Sequence, residues 1–128
     1  MSKHPGKSKD EWRGTRGNLL LVPDPDGSYP AEIYLDGLDV RAQAQFDVRA
    51  RHLAEIGIIA NELQFKKLDQ PAGHPTIWEI KLTVGKGHRF YCWRSERTWC
   101  VSHGCRKPND LQVRHQVSIA RQRHDNWN

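Results

Sequence analysis

Residues 77–107, IWEIKLTVGKGHRFYCWRSERTWCVSHGCRK, constrain the fold of this chain more than any other stretch. Ile77, Glu79 and Lys81 alternate with Trp78, Ile80 and Leu82. A Gly-Lys-Gly turn at Gly85–Gly87 follows, then a second alternating run, His88–Trp93. A polar turn at Arg94–Arg97 leads into a third, Thr98–His103. Period-two runs rich in aromatic and β-branched residues, parted by Gly or charged turns, predict an antiparallel meander. A sheet with one face on a core keeps charge off that face. Lys81, Arg89 and His103 are therefore expected to share the other one. With residues 94–97 as the loop, Arg89 falls roughly opposite His103 and Cys92 roughly opposite Cys100. A slip of one residue would exchange the faces.

The preceding sequence alternates turn and helix signals. Residues 1–16 are rich in Lys, Gly and Ser and are expected to form a loose basic arm. Asn18–Val22, NLLLV, stops at Pro23 and reads as a strand, followed by turn chemistry in PDPDGSY. Pro30 opens a helix, since its missing N–H would be unpaired there anyway. Ile33, Tyr34 and Leu38 fall on one stripe of it. Asp39 is an N-cap for a second helix, in which Ala42, Phe46, Arg49, Ala50 and Leu53 form a core-facing stripe ending at Gly57. The short link predicts that the two helices pack as a hairpin. Residues 58–75 read as a connector containing Phe65 and Lys66-Lys67-Leu68. After Pro108, residues 111–124 read as a short basic helix with Val113, Val117 and Ala120 in register.

A chain of 128 residues with 27% charged and 37% hydrophobic composition fits one domain with a modest core. Its net charge of +5 suits phosphate-bearing or acidic partners. No run approaches the roughly 18 apolar residues of a membrane span, and no apolar export signal opens the chain, so a cytoplasmic location is expected. Three cysteines then default to reduced thiols. Cys92, Cys100, His103 and Cys105 are a conceivable zinc set, but their spacing lacks the paired CxxC pattern and no metal is expected.

The order strand, two helices, three strands, helix resembles the RelE/HigB superfamily of bacterial toxins, nearest its phage-derived HigB-like branch. The likeness rests on several short stretches. PDGSYPAEIYLDGL at Pro25–Leu38 is similar to that branch's G-x-x-P-x-x-x-F-L-x-x-L. Leu53–Gly57 resembles its L-x-x-x-G helix end, and Lys67-Leu68 its K-L. Trp78-Glu79-Ile80-Lys81 resembles Y/W-E-L/I-R, Arg89 takes the arginine of Y-R-V, and His103–Lys107 resembles H-G-F-x-K-K. Ala120 matches the last helix's alanine. Four positions depart: Lys81 for arginine, Cys105 for an aromatic, Pro108 for the second lysine, and Gln112-Val113 for T-P.

The resemblance implies an α+β fold, with a small antiparallel sheet, an N-terminal helical hairpin and a C-terminal helix over residues 17–125. It implies cofactor-free, metal-independent cleavage of messenger RNA on the ribosome by a toxin neutralised by an antitoxin, usually a helix-turn-helix protein. Cleavage without metal needs a base for the ribose 2′-OH, fixed cations for the phosphorane and an acid for the leaving 5′-oxygen. Lys67, Lys81, Arg89 and His103 are the catalytic candidates. Arg106, Lys107 and Tyr91 are the RNA-binding candidates, Tyr91 by stacking on a splayed base. Bland readings stand beside these: Lys66 and Lys67 as connector charges, His103 as a strand-end hydrogen-bonding group, His88 as an exposed turn residue, and Trp93 with Trp99 as a cross-strand pair. The alternative function is a non-catalytic, phage-derived basic module that binds RNA or protein.

Overall fold

A computed structural model describes residues 11–127. Its elements are β1 (Trp12–Gly14), β2 (Gly17–Leu21), α1 (Pro30–Asp36), α2 (Val40–Ile56), β3 (Phe65–Asp69), β4 (Ile77–Leu82), β5 (His88–Ser95), β6 (Thr98–Arg106) and α3 (Asp110–Trp127). The fold is α+β. Six strands form one mixed sheet in the order β1-β2-β6-β5-β4-β3. The meander β4-β5-β6 is antiparallel as expected, whereas β2 joins β6 in parallel.

Two strands lie outside the expected sheet, one at each edge. β3 occupies part of the expected connector, with Phe65 opposite Ile80 and Lys66 opposite Glu79. β1 lies within the expected loose arm, pairing Trp12 with Leu19. Trp12 packs edge-on against Phe46, and its Nε1 donates to Asp47 Oδ1 at 2.8 Å. The arm therefore joins the sheet by residue 12, and residues 1–10 lie outside the described residues.

The local helix signals hold. Asp39 accepts from the Ala42 N–H at 2.9 Å, and Gly57 ends α2 at φ 98°, a left-handed conformation that favours glycine. The α2 stripe is buried at Ala42, Phe46, Arg49, Ala50 and Leu53. The α1 stripe turns by one position: Ala31 and Leu35 are buried, and Ile33 is exposed. The two helices also share the sheet rather than chiefly each other. α1 lies against β6, and α2 crosses β1 and β2. Asn109 and Gln112 cap α3 reciprocally, each side chain accepting from the other's N–H at 2.9 Å.

Each sheet face carries its own core. Leu19, Leu21, Phe65, Ile80, Leu82, Phe90, Cys92, Trp99 and Val101 meet α1 and α2. Ile77, Tyr91, Trp93 and Cys100 meet Val117 and Ala120 of α3. Cys92 and Cys100 thus lie on opposite faces. Cys92 pairs with Val101 and Trp93 with Cys100, so neither the expected cysteine pair nor the Trp93–Trp99 pair forms. The register here is one residue from the expected one: Ser95 pairs with Thr98 across a turn of two residues, Glu96 and Arg97, with Glu96 left-handed at φ 55°.

Candidate functional site

A cleft of about 380 Å³ opens between the start of α3 and the β3–β5 part of the sheet. Strand alternation builds its floor. Glu79, Lys81 and Arg89 point to the α3 side, and Lys81 is the direct cross-strand partner of Arg89. Lys66 joins them from β3. Lys107, Asp110 and Arg114 close the cleft from the β6–α3 junction. Five cationic side chains thus surround one buried carboxylate, Glu79.

Glu79 Oε2 accepts from the Tyr91 hydroxyl at 2.9 Å and lies 3.8 Å from Arg89 Nε. Arg89 also donates from Nη1 to the carbonyls of His88 at 3.0 Å and Leu82 at 3.4 Å. These contacts hold the guanidinium in one place, as a phosphate clamp requires. Partial burial pulls the Lys81 pKa below the ordinary lysine value. Glu79 opposes that shift, while Arg89 and Lys66 reinforce it. A lysine that is easier to deprotonate is better suited to serve as a base.

Lys81, Arg89 and Lys107 therefore meet in one cleft, but four other candidates stay outside it. Lys67 lies opposite Trp78, on the side of the sheet facing away; its neighbour Lys66 takes the place expected for it. The alternation of β3 would have made that choice had the segment been read as a strand. Tyr91 is fully buried, and its hydroxyl is committed to Glu79, so its ring cannot reach a base. Burial, then the Glu79 charge, drives its pKa far up.

His103 shares the face of Lys81 and Arg89 but sits beneath α3, 7% exposed and stacked on Tyr91. Its Nε2 lies 2.7 Å from Gln116 Oε1 and its Nδ1 2.7 Å from Ser102 Oγ, which accepts from Arg123 Nη1 at 3.0 Å. The neutral ring with Nε2 protonated satisfies this whole chain. Burial lowers its pKa to about 4. This histidine ties α3 to the sheet and does not face the cleft.

Arg106 pairs across the strands with His88, on the α1 side. There Tyr34 Oη and His88 Nδ1 are 2.6 Å apart. Burial, followed by the Arg106 charge, lowers the His88 pKa. Cys105, opposite Arg89, has its thiol pushed up to about 11 by burial. Among the described residues no three His, Cys, Asp or Glu side chains are grouped to hold a metal ion. No helix among them is long and apolar enough to cross a membrane. Lys66, Glu79, Asp110 and Arg114 are charged cleft residues to which sequence reasoning gave no place in the site.

The chain matches no family model, no curated protein and no solved structure.

Proposed function

We propose that this protein is a metal-independent endoribonuclease of the RelE/HigB kind, acting on messenger RNA in the ribosome and restrained by an antitoxin. The observation that carries this reading is the cationic cleft in which Lys81, with its lowered pKa, is paired across the strands with Arg89. The order from β2 through α1, α2 and the antiparallel strands to α3 supports it, with β1 and β3 as edge additions to the arrangement the resemblance implies.

In this mechanism the Lys81 amine takes the 2′-OH proton and the 2′-oxygen attacks the adjacent phosphorus. Arg89 holds the phosphorane oxygens. The bond to the 5′-oxygen breaks as a lysine ammonium of the cleft, Lys66 or Lys107, supplies its proton. The products are a 2′,3′-cyclic phosphate and a 5′-hydroxyl. Glu79 orients Arg89 from below, itself held by Tyr91.

The test is induced expression with mapping of message ends on translating ribosomes. The wild type should arrest growth and leave new 5′ ends inside translated messages. Lys81→Met should slow cleavage by about 100-fold or more, the scale of a lost acid–base group, and melt near the parent. A harmless wild type that cuts no message refutes the enzyme. One observation favours the binding-module alternative: among the described residues no histidine lines the cleft, so proton transfer by these residues would rest on lysines and carboxylates. On that reading, Lys81→Met would weaken RNA binding while no cleavage occurs in either protein.

A further inference from the structure

The opposite end of the sheet carries a second cationic site. Two turns meet there, residues 15–16 between β1 and β2 and residues 96–97 between β5 and β6. Arg97 Nη2 donates to the Thr15 carbonyl at 2.9 Å, and the Arg97 carbonyl accepts from the Asn18 N–H at 3.0 Å. Thr98 Oγ1 donates to Asn18 Oδ1 at 2.7 Å, and the Arg16 N–H to the Ala54 carbonyl at 3.0 Å. The closeness depends on glycine. Gly17 has φ +150°, and a Cβ there would lie 1.9 Å from the Arg97 carbonyl oxygen. The N-terminal hairpin is thus clamped to the β5–β6 turn.

This clamp frames a groove of about 450 Å³ lined by Arg16, Ile56, Gly57, Ile58, Arg94 and Arg97. Arg94 lies over the Trp99 ring, 5.3 Å from its centroid, and a Cβ built on Gly57 would lie 3.5 Å from both Arg94 Nη2 and Arg16 Cβ. Among the described residues, none of the three arginines forms an ion pair with a carboxylate. Three guanidiniums are therefore gathered at the C-terminal end of α2, whose carbonyl dipole eases their mutual repulsion without neutralising it.

The geometry points to a docking site for the phosphate backbone of a folded RNA, distinct from the cleft. Planar guanidinium forks match phosphate oxygens. The exposed side chains beside them, Ile56 and Ile58, are aliphatic, and the buried Trp99 ring is covered by Arg94, so the groove offers no face on which a splayed base could stack. The site therefore suits paired RNA, which presents backbone, rather than single strands, which present bases. The cleft opens on the α3 side near the start of β5, and this groove lies at that strand's other end beside α2, so both can be filled at once. The inference rests on the reading that RNA is the partner.

Fluorescence anisotropy with a labelled, fully paired RNA hairpin tests it on the full chain. Arg16→Gln with Arg94→Gln spares Arg97, which holds the clamp. This double variant should bind the hairpin roughly tenfold more weakly and with a shallower salt dependence, each lost phosphate contact removing about 0.9 from a duplex slope. Arg16→Lys with Arg94→Lys keeps the charges and should recover most of the slope. Arg41→Gln, at an exposed position near the opposite end of α2 and outside both sites, should leave hairpin binding unchanged. Unaltered affinity and slope in the Gln variant overturn the site. So does loss of poly-glutamate peptide binding with hairpin binding intact, which would assign the groove to an acidic protein segment. A wild type that cleaves nothing but shows the arginine-dependent hairpin binding ends the nuclease proposal and keeps this one.

Discussion

Acid should loosen α3 from the sheet through one buried ring. His103 is neutral, 7% exposed and fully hydrogen-bonded, between Tyr91 on one side and Gln116 on α3. Burial is the first cause of its lowered pKa; the Gln116 hydrogen bond and Asp24 oppose the shift, and Arg123 and His115 add to it. The folded value of about 4 lies below the ordinary histidine value of 6.5. Between those two pH values the unfolded chain binds a proton that the folded chain refuses. Stability is therefore fully present above pH 6.5, falls as pH drops towards about 4, and falls no further from this group below that. At about 1.4 kcal/mol per unit the full loss is about 3 kcal/mol, a large share of a small domain's total. The assay is urea unfolding of wild type and His103→Gln across this range. Gln cannot take up the proton, so its profile should be flatter by about that amount, apart from a constant offset from altered packing. The carboxylates with lowered pKa, Asp26, Asp47 and Glu55, are common to both proteins and cancel in the difference. Parallel profiles would refute the assignment of a buried neutral ring.

Arg89→Ala should lower stability as well as activity. The side chain is 12% exposed, and its loss strips the buried Glu79 of its cation; a cost of about 1–3 kcal/mol by urea denaturation is expected, partly restored by adding Glu79→Gln. Phe46 is fully buried between Trp12 and Phe90, so Phe46→Ala should cost about 3–5 kcal/mol in the same assay; a change below 1 kcal/mol would contradict its place in the core. Asp39→Ala removes the α2 cap and should cost about 1 kcal/mol, with Asp39→Asn losing only part of it.

Much of the candidate site was legible before the fold. Period-two alternation by itself puts Lys81 on the face of Glu79, and cross-strand pairing brings Arg89 beside it. The expected pairing of Arg89 with His103 stands two residues from the observed pairing with Cys105, a slip that keeps the faces, and the bulge where Tyr91 and Cys92 pair with His103 and Val101 is what brings His103 to the face of Arg89. The burial of His103 was not legible, because that depends on Gln116 and Arg123 arriving with α3 from farther along the chain.

The sequence by itself determined the features that arise within a few bonds: the cap at Asp39, the left-handed stop at Gly57, the α2 stripe from Ala42 to Leu53 and the existence of the meander. Their causes are local hydrogen bonds, backbone sterics and side-chain period. Only the tertiary structure decided the rest. The parallel match of β2 to β6 joins Leu19 to Trp99 across most of the chain, and no local pattern encodes such a partner. β1 and β3 are short, polar edge strands, recognisable as strands only once a neighbour offers its free backbone groups. The clustering of Arg16, Arg94 and Arg97 likewise required two distant turns to meet, which Gly17 permits but does not announce.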